Sequence, residues 1–346
     1  MRKLLIIIGG MALIWVCAHS VALAQAHAYD VFVRLSQERT QLEFADVRTG
    51  LSVVVTTDGR KHTLARRGVL FETDEGVRIA YPDGQVGLFA LIPAAGERQA
   101  VDWVVSANGT WIAWGVIVPR GEGVVSELFI ADTDGGARRS VLFTSSTQQV
   151  GVIPVAVSDD GGAIFYARIG EPFGERSTPL TVDQVFRLNT QSGESAALPE
   201  ITGCPCPVGF TPDGRWFARL VADEAGSYTL RVWNVDSGAE GDSEATVRGL
   251  EQAGGIFLQP ETGQALFFAG RRVSGRWEYT LYLADLGSGA LQALATGLRG
   301  MVRPLGISRE GMVTFVGVER DGTYKVLRTG GDVVTVSSLT YLGQLP

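Results

Sequence analysis

Two thiols one residue apart, Cys204-Pro205-Cys206, are the most specific chemical feature of this sequence. The spacing is shorter than the C-x-x-C of redox and zinc motifs. In an oxidising compartment it reads as an intrachain disulfide pinning a tight turn. Two free structural thiols, or a redox-active or metal-binding pair, are the open alternatives. Closing so small a loop removes little chain entropy, so such a bond would act by local rigidity. The remaining chemistry is sparse. Of three His, His19 and His27 lie at the N-terminal end, and His62 is the one securely inside the domain. A Ser–His–Asp triad or a His-based metal site would rest on it alone, and Arg60-Lys61-His62 reads as a solvated loop. No G-x-S-x-G elbow, P-loop or strand-borne G-x-G-x-x-G is present. Asp132-Thr133-Asp134-Gly135-Gly136 opens like a calcium loop, but its twelfth position is Phe143 where Glu is required, so it reads as a turn. No catalytic residue, metal or cofactor is therefore expected. Chemistry by paired carboxylates stays open, because 37 acidic residues are scattered along the chain and pairing is three-dimensional.

The composition narrows the partners. The chain has 346 residues, a net charge of −7, 44 Gly and 13 Pro. That is a globular composition rich in tight turns, long enough for one large all-β domain or two smaller ones. An acidic chain with no basic run is a poor nucleic-acid ligand, since that affinity comes from neutralising phosphates. Only three of the 30 basic residues are Lys, which removes most candidates for a catalytic lysine.

The first 28 residues read as an address. Arg2 and Lys3 precede an apolar run from Leu4 to Cys17, and Ala22-Leu23-Ala24 and Ala26-His27-Ala28 supply small-residue cleavage sites. The apolar run is short of the ~20 residues that span a bilayer, and no later segment is apolar enough to do so. The domain expectation is a secretory signal peptide at 1–28 and one domain at 29–346, located in the periplasm, on the cell surface or in the medium. Without Arg2 and Lys3, 28 basic residues face 37 acidic ones.

The elements that would carry any site come from internal repeats. One motif is a strand, a turn ending in Gly, then an apolar strand. It appears at Thr73–Gly76, Ser106–Gly109, Ser158–Gly161, Thr211–Gly214, Pro260–Gly263 and Ser308–Gly311, with Gly-to-Gly spacings of 33, 52, 53, 49 and 48. A second motif alternates with it: an apolar strand, Asp or Asn, then Gly four residues later. It appears at Asp46–Gly50, Asp132–Gly136, Asn189–Gly193, Asn234–Gly238 and Asp285–Gly289, with degenerate copies ending at Gly96 and Gly331. Such turns, between runs of β-branched and aromatic residues, are hairpins. Each unit thus holds four short strands, A to D from inside out, with the first motif as the A–B turn and the second as the C–D turn. The fold class is an all-β propeller of four-stranded blades, seven by preference and six as the alternative. The first unit opens directly on strand B, Asp30–Leu35, and a surplus segment, Leu339–Gly343, remains at the end. That tail is expected to be the missing inner strand, closing the ring and covering both edges. As an extended strand it would place Leu339, Tyr341 and Leu345 on one side and Leu342 on the other.

Thr211-Pro212-Asp213-Gly214-Arg215-Trp216-Phe217-Ala218 resembles the repeat core of TolB-type, WD40-like propellers, and Leu281-Tyr282-Leu283-Ala284-Asp285 resembles its second half. The resemblance covers nearly the whole mature chain. TolB-type proteins carry an added α/β domain, and the propellers of prolyl oligopeptidases a hydrolase domain, for which this length leaves no room. The resemblance implies an exported interaction module and carries over no functional residue.

Contacts are expected where B–C and D–A loops share a face. The longest B–C segments contain Arg120 and Glu122, then Glu171, Phe173 and Arg176, then Arg271, Arg272 and Trp277; Cys204 and Cys206 lie in a D–A loop on the same face. Arg and aromatics dominate binding hot spots, whereas Trp103, Trp111 and Trp114 read as inter-blade packing. The function expected is a non-catalytic module binding an envelope or extracellular protein, a glycan or a peptide. The alternative is a small-molecule or glycan hydrolase or lyase using carboxylates and Arg at the central channel.

N-terminal sequencing of exported material should show cleavage after Ala24, Ala26 or Ala28. A membrane-bound chain still starting at Met1 would exclude a cleaved leader.

Overall fold

The computed structural model describes residues 28–35, 40–96, 99–170, 181–200, 206–241, 245–259 and 263–298, and five strands between 303 and 345. Every regular element among them is a β-strand, arranged as six four-stranded sheets and one five-stranded sheet. These are seven propeller blades. From inside out, blade 1 is Thr340–Leu345, Tyr29–Leu35, Thr40–Asp46 and Ser52–Thr57; blade 2 is Arg60–Ala65, Gly68–Thr73, Gly76–Ala80 and Val86–Leu88; blade 3 is Ala100–Val105, Trp111–Arg120, Gly123–Asp132 and Arg139–Ser146. Blade 4 is Gly151–Val157, Ala163–Ile169, Val185–Asn189 and Ser195–Ala197. Blade 5 is Cys206–Phe210, Trp216–Ala222, Tyr228–Asn234 and Ala245–Val247, with Thr181–Val182 added inside it. Blade 6 is Gln252–Gln259, Gln264–Val273, Arg276–Asp285 and Leu291–Leu298, and blade 7 is Arg303–Ile307, Val313–Val318, Tyr324–Arg328 and Val333–Ser337.

Second strands such as Trp111–Arg120 and Gln264–Val273 carry runs of buried residues, whereas third strands such as Thr40–Asp46 and Gly123–Asp132 alternate. Val31, Leu42 and Phe44 of blade 1 pack with Val69 and Phe71 of blade 2. Trp103 and Trp114 of blade 3 pack with Leu70 and Ile79 of blade 2, and Trp111 joins the cluster between blades 3 and 4. The three tryptophans are inter-blade packing, as expected.

The second motif has one job in every blade where it is described. The Asp or Asn side chain accepts backbone N–H bonds inside its own turn, as Asp46 Oδ1 does from Arg48 and Thr49 at 2.9 and 2.8 Å, and Asn234 Oδ1 from Asp236 and Ser237 at 3.1 and 2.9 Å. The next residue then donates its N–H to the carbonyl just before strand B: Thr133 to Thr110, Thr190 to Gly162, Val235 to Arg215 and Leu286 to Gly263, at 2.7–3.0 Å. In blade 1 the same bond runs from Val47 to Ala28 at 3.0 Å. Ala28 thus stands where the other blades have the last residue of an A–B turn. The A–B turns are also linked to one another. Arg66 N–H donates to Gly109 O at 2.8 Å, Asn108 N–H to Asp159 Oδ1 at 2.9 Å, and Asp159 N–H to Pro212 O at 2.8 Å, a belt from blade 2 to blade 5.

The tail closes the ring as expected, with Thr340–Leu345 pairing antiparallel to Tyr29–Leu35. Its facing differs from the expectation. The register shifts between Val31 and Phe32, which face Gly343 and Tyr341, so Leu342 is a bulge. The extra residue reverses parity, and Leu342 and Leu345 both pack on the cluster between blades 1 and 2. Gly343 has φ +133°, and a Cβ there would lie 2.5 Å from Leu64 Cδ1, so the bulge requires glycine.

Blade 2 departs from the expected frame. Thr73–Gly76 is its B–C turn, not an A–B turn. The A–B turn is Arg66-Arg67 and the C–D turn is Tyr81–Gln85, where Tyr81 N–H donates to Gln85 O at 2.9 Å. Gly96 lies in the connection to blade 3 and bridges Gln99. The outlying spacing of 33 was the sign of this shift. Arg60-Lys61-His62 is correspondingly no solvated loop but the start of blade 2's inner strand. The repeats at Pro260–Thr262, Ser308–Gly311 and Gly331 fall outside the described residues.

Leu345 is 2 % exposed, so Leu345→Ala should cost about 2–5 kcal/mol, and deletion from Ser338 onward should unfold or aggregate the whole ring. Calorimetry reads both; an unchanged melting temperature after the deletion would show that the tail does not close the molecule.

Candidate functional site

The channel-lining strands carry little charge. Across the seven inner strands the one carboxylate is Asp102. It is buried and ion-paired with Lys61 of the neighbouring inner strand. Lys61 has φ 54° at a register shift between Arg60 and Thr63. That bulge directs its ammonium to Asp102 and over the Trp103 ring, 4.4 Å from the centroid. His62 stacks on Phe71 at 5.9 Å, and its Nε2 lies 3.4 Å from Thr57 Oγ1. Burial lowers its pKa to about 4, so the imidazole is neutral at physiological pH. Among the described residues no three His, Cys, Asp or Glu side chains gather to hold a metal ion.

The residues expected to make contacts are distributed as follows. Arg120 and Glu122 are exposed at the tight hairpin of blade 3, where Arg120 faces Gly123 across the ladder. Arg271 and Arg272 are exposed at the hairpin of blade 6, with Arg272 5.2 Å over Trp277 and Trp277 stacked on Tyr279 at 5.7 Å. Blades 3 and 6 are three positions apart in the ring, so these two groups form no common constellation. Glu171, Phe173 and Arg176 lie outside the described residues, as does Cys204. Cys206 is buried and disulfide-bonded.

The segment that follows Arg176 is anchored. Thr181–Val182 pairs with Pro207 and Cys206 on the inner side of blade 5. Arg219, wholly buried, donates to the carbonyls of Val182 (2.9 Å), Asp183 (2.9 Å) and Pro199 (3.2 Å). Burial lowers the pKa of the guanidinium, and nearby Glu200 and Asp183 oppose that shift. One cation thus ties the blade 4 crossover and the stretch before Cys206 to blade 5. No sequence signal marks Arg219, because its partners are main-chain atoms.

An open concavity lies elsewhere among the described residues. A cleft of about 430 Å³ separates blades 2 and 3 on the side of the A–B and C–D turns. Ile79, Tyr81, Leu88, Phe89 and Arg67 line it from blade 2 and the stretch that follows it, and Asp134 and Arg138 line it from blade 3. Arg67 holds Asp134 through two bonds, Nε to Oδ1 at 2.8 Å and Nη2 to Oδ2 at 3.0 Å. Arg138 lies over Trp114 and Phe129, 5.6 and 5.9 Å from their centroids, and among the described residues it has no carboxylate partner. Leu88 is 67 % exposed at the rim, and Phe143, on the outer strand of blade 3, is 65 % exposed. The Asp132–Gly136 turn therefore is a turn, as read from sequence, and also presents Asp134 to this cleft.

Comparison with known proteins shows the architecture. No family model and no curated protein matches the sequence. An oligogalacturonate lyase in complex with manganese aligns over 80% of this chain and 79% of its own, with TM-score 0.53 and 10% identity. The periplasmic gluconolactonase PpgL of Pseudomonas aeruginosa aligns over 91% and 97%, with TM-score 0.51 and 15% identity. TolB from Acinetobacter baumannii aligns over 90% and 81%, with TM-score 0.42 and 14% identity. The fold is what the lyase and the gluconolactonase share with this chain.

Replacing Arg219 tests the anchor. Arg219→Lys keeps the charge but cannot reach three carbonyls in a fork. It should destabilise the protein by about 2–4 kcal/mol and raise hydrogen exchange selectively at Val182 and the inner strand of blade 5. Uniform exchange along the chain would show that Arg219 does not hold that crossover.

Proposed function

We propose that this chain is an exported, non-catalytic binding module whose recognition surface is the cleft between blades 2 and 3. The observation that carries the reading is the pairing of an open apolar wall, ending in the exposed Leu88, with a guanidinium that is already oriented on an aromatic platform. Apolar burial supplies affinity and a fixed charged group supplies orientation, which is how protein and peptide surfaces are recognised. The bidentate Arg67–Asp134 pair ties blade 2 to blade 3 beside the cleft. The catalytic alternative needs carboxylates converging on the channel. The single inner-strand carboxylate, Asp102, is held by Lys61, and that supports binding over hydrolysis.

Export rests on the apolar leader. Cleavage after Ala24 or Ala26 is favoured over cleavage after Ala28, because Ala28 O accepts the Val47 bond that every other described copy of the motif makes. The partner is an envelope or extracellular protein or a peptide segment of one. Among the described residues no helix is long and apolar enough to cross a membrane.

A photo-reactive amino acid placed at position 88 should give a covalent adduct with a partner in the producing cells. Arg138→Glu should reduce that adduct at least tenfold, and the same probe at exposed Glu240 of blade 5 should give none. Adducts at positions 120 or 272, with none at 88, would move the surface to the opposite face.

A further inference from the structure

The outer edges of the blades are not alike. An exposed strand edge is a template for further pairing, and proteins blunt it by shortening it, charging it or breaking its register. The outer strands of blades 2, 4 and 5 have three residues each. Those of blades 3, 6 and 7 pair through register shifts, and the one in blade 3 opens on Arg139. Blade 1 carries none of these devices. Ser52–Thr57 pairs in unbroken register with Thr40–Ala45, and Leu51–Thr57 is free of charge, Gly and Pro. Leu51 is 74 % and Val54 56 % exposed.

The ladder fixes which groups face outward. Asp46 N–H donates to Leu51 O at 2.9 Å, and N–H and C=O of one residue point to the same side, alternating along an antiparallel strand. Leu51, Val53, Val55 and Thr57 therefore turn their main chain inward. Ser52, Val54 and Thr56 turn theirs out, at the terminal position of the sheet.

We propose that this edge is an interface between two copies of the chain, joined by antiparallel pairing of Ser52–Thr57 about a two-fold axis. Three observations favour a second copy. The strand is uncharged, so it meets itself without repulsion, whereas the chain as a whole, at −7, repels itself. It is preceded by exposed Arg48 and followed by exposed Asp58, with Arg60 beyond it, so antiparallel pairing sets the Arg48 end of one copy toward the Asp58 end of the other, while parallel pairing would set Arg48 against Arg48. Exposed Val47 and Leu51 flank it on the same rim, adding apolar area to the ladder. Such an interface is isologous and closes at two copies, so it ends the edge instead of propagating it. The inference is independent of the cleft between blades 2 and 3.

The test is sedimentation of the protein expressed from its full-length gene and purified as the cell processes it. A dimer is expected. Val54→Lys places like charges together across the two-fold axis and should raise the dimer dissociation constant at least 100-fold with no change in the circular dichroism spectrum. Phe143→Lys, an equally exposed site on blade 3, should leave the dimer intact. In the dimer the amides of Ser52, Val54 and Thr56 should be protected from exchange, and that protection should be lost on dilution. Should Val54→Lys fold poorly, Thr56→Glu gives the same reading at a polar position. A wild-type protein that is monomeric at every concentration, or a dimer indifferent to both edge substitutions, overturns the proposal.

Discussion

Everything in this molecule leans on the pairing of its last strand with its first. A blade has two faces, and each is buried only by a neighbour. Seven blades in an open row would leave one face of the first and one of the last without a neighbour. The segment Thr340–Leu345 beside Tyr29–Leu35 turns that row into a ring. The contact joins residues about as far apart in sequence as any in the molecule, so its formation carries the largest loop-closure entropy of the strand pairs.

Within the ring, rigidity comes from short polar links rather than from long elements. In the C–D turns of blades 1, 3, 4, 5 and 6 the Asp or Asn satisfies its own turn and positions the following N–H for the carbonyl before strand B. The A–B turns then bond to their neighbours from blade 2 to blade 5. The turn face is thus a stitched surface. The cleft opens beside the Arg66–Gly109 link, where blade 2 is irregular. Its outer strand is only Val86–Leu88, and the chain then turns inward to bury Phe89 and Ile92 against blade 3. A short edge leaves space, and the turn carrying Asp134 frames it.

The opposite face follows a different logic. There the crossover from blade 4 is held against the inner side of blade 5 by Arg219 and by a short ladder to Cys206 and Pro207. Burying a guanidinium is costly unless its donors are used. Three carbonyls use them, and the disulfide at Cys206 stiffens the same corner. The two faces therefore differ: one is pinned by a cation and a disulfide, the other is open between two blades.

The sequence by itself determined the fold class and favoured seven blades closed by the tail, with six as the alternative that the strand pairing removed. Turn chemistry is local: Gly, Asp and Asn fix hairpins within a few residues, and their alternation counts blades wherever the repeat is regular. The missing first strand and surplus last one completed the count. It also marked the Asp132–Gly136 turn and the packing tryptophans. What it missed was the frame of blade 2, the inner-strand place of His62, the parity of Leu342 and the roles of Arg219 and Arg138. Each depends on tertiary structure for a physical reason. A bulge adds one residue and reverses facing without altering composition, as at Leu342 and Gly343. A buried arginine bonded to main-chain carbonyls has no partner residue type to signal it. A cleft between blades is a property of how two sheets diverge, and the residues that line it, from Arg67 to Arg138, share neither a motif nor a period.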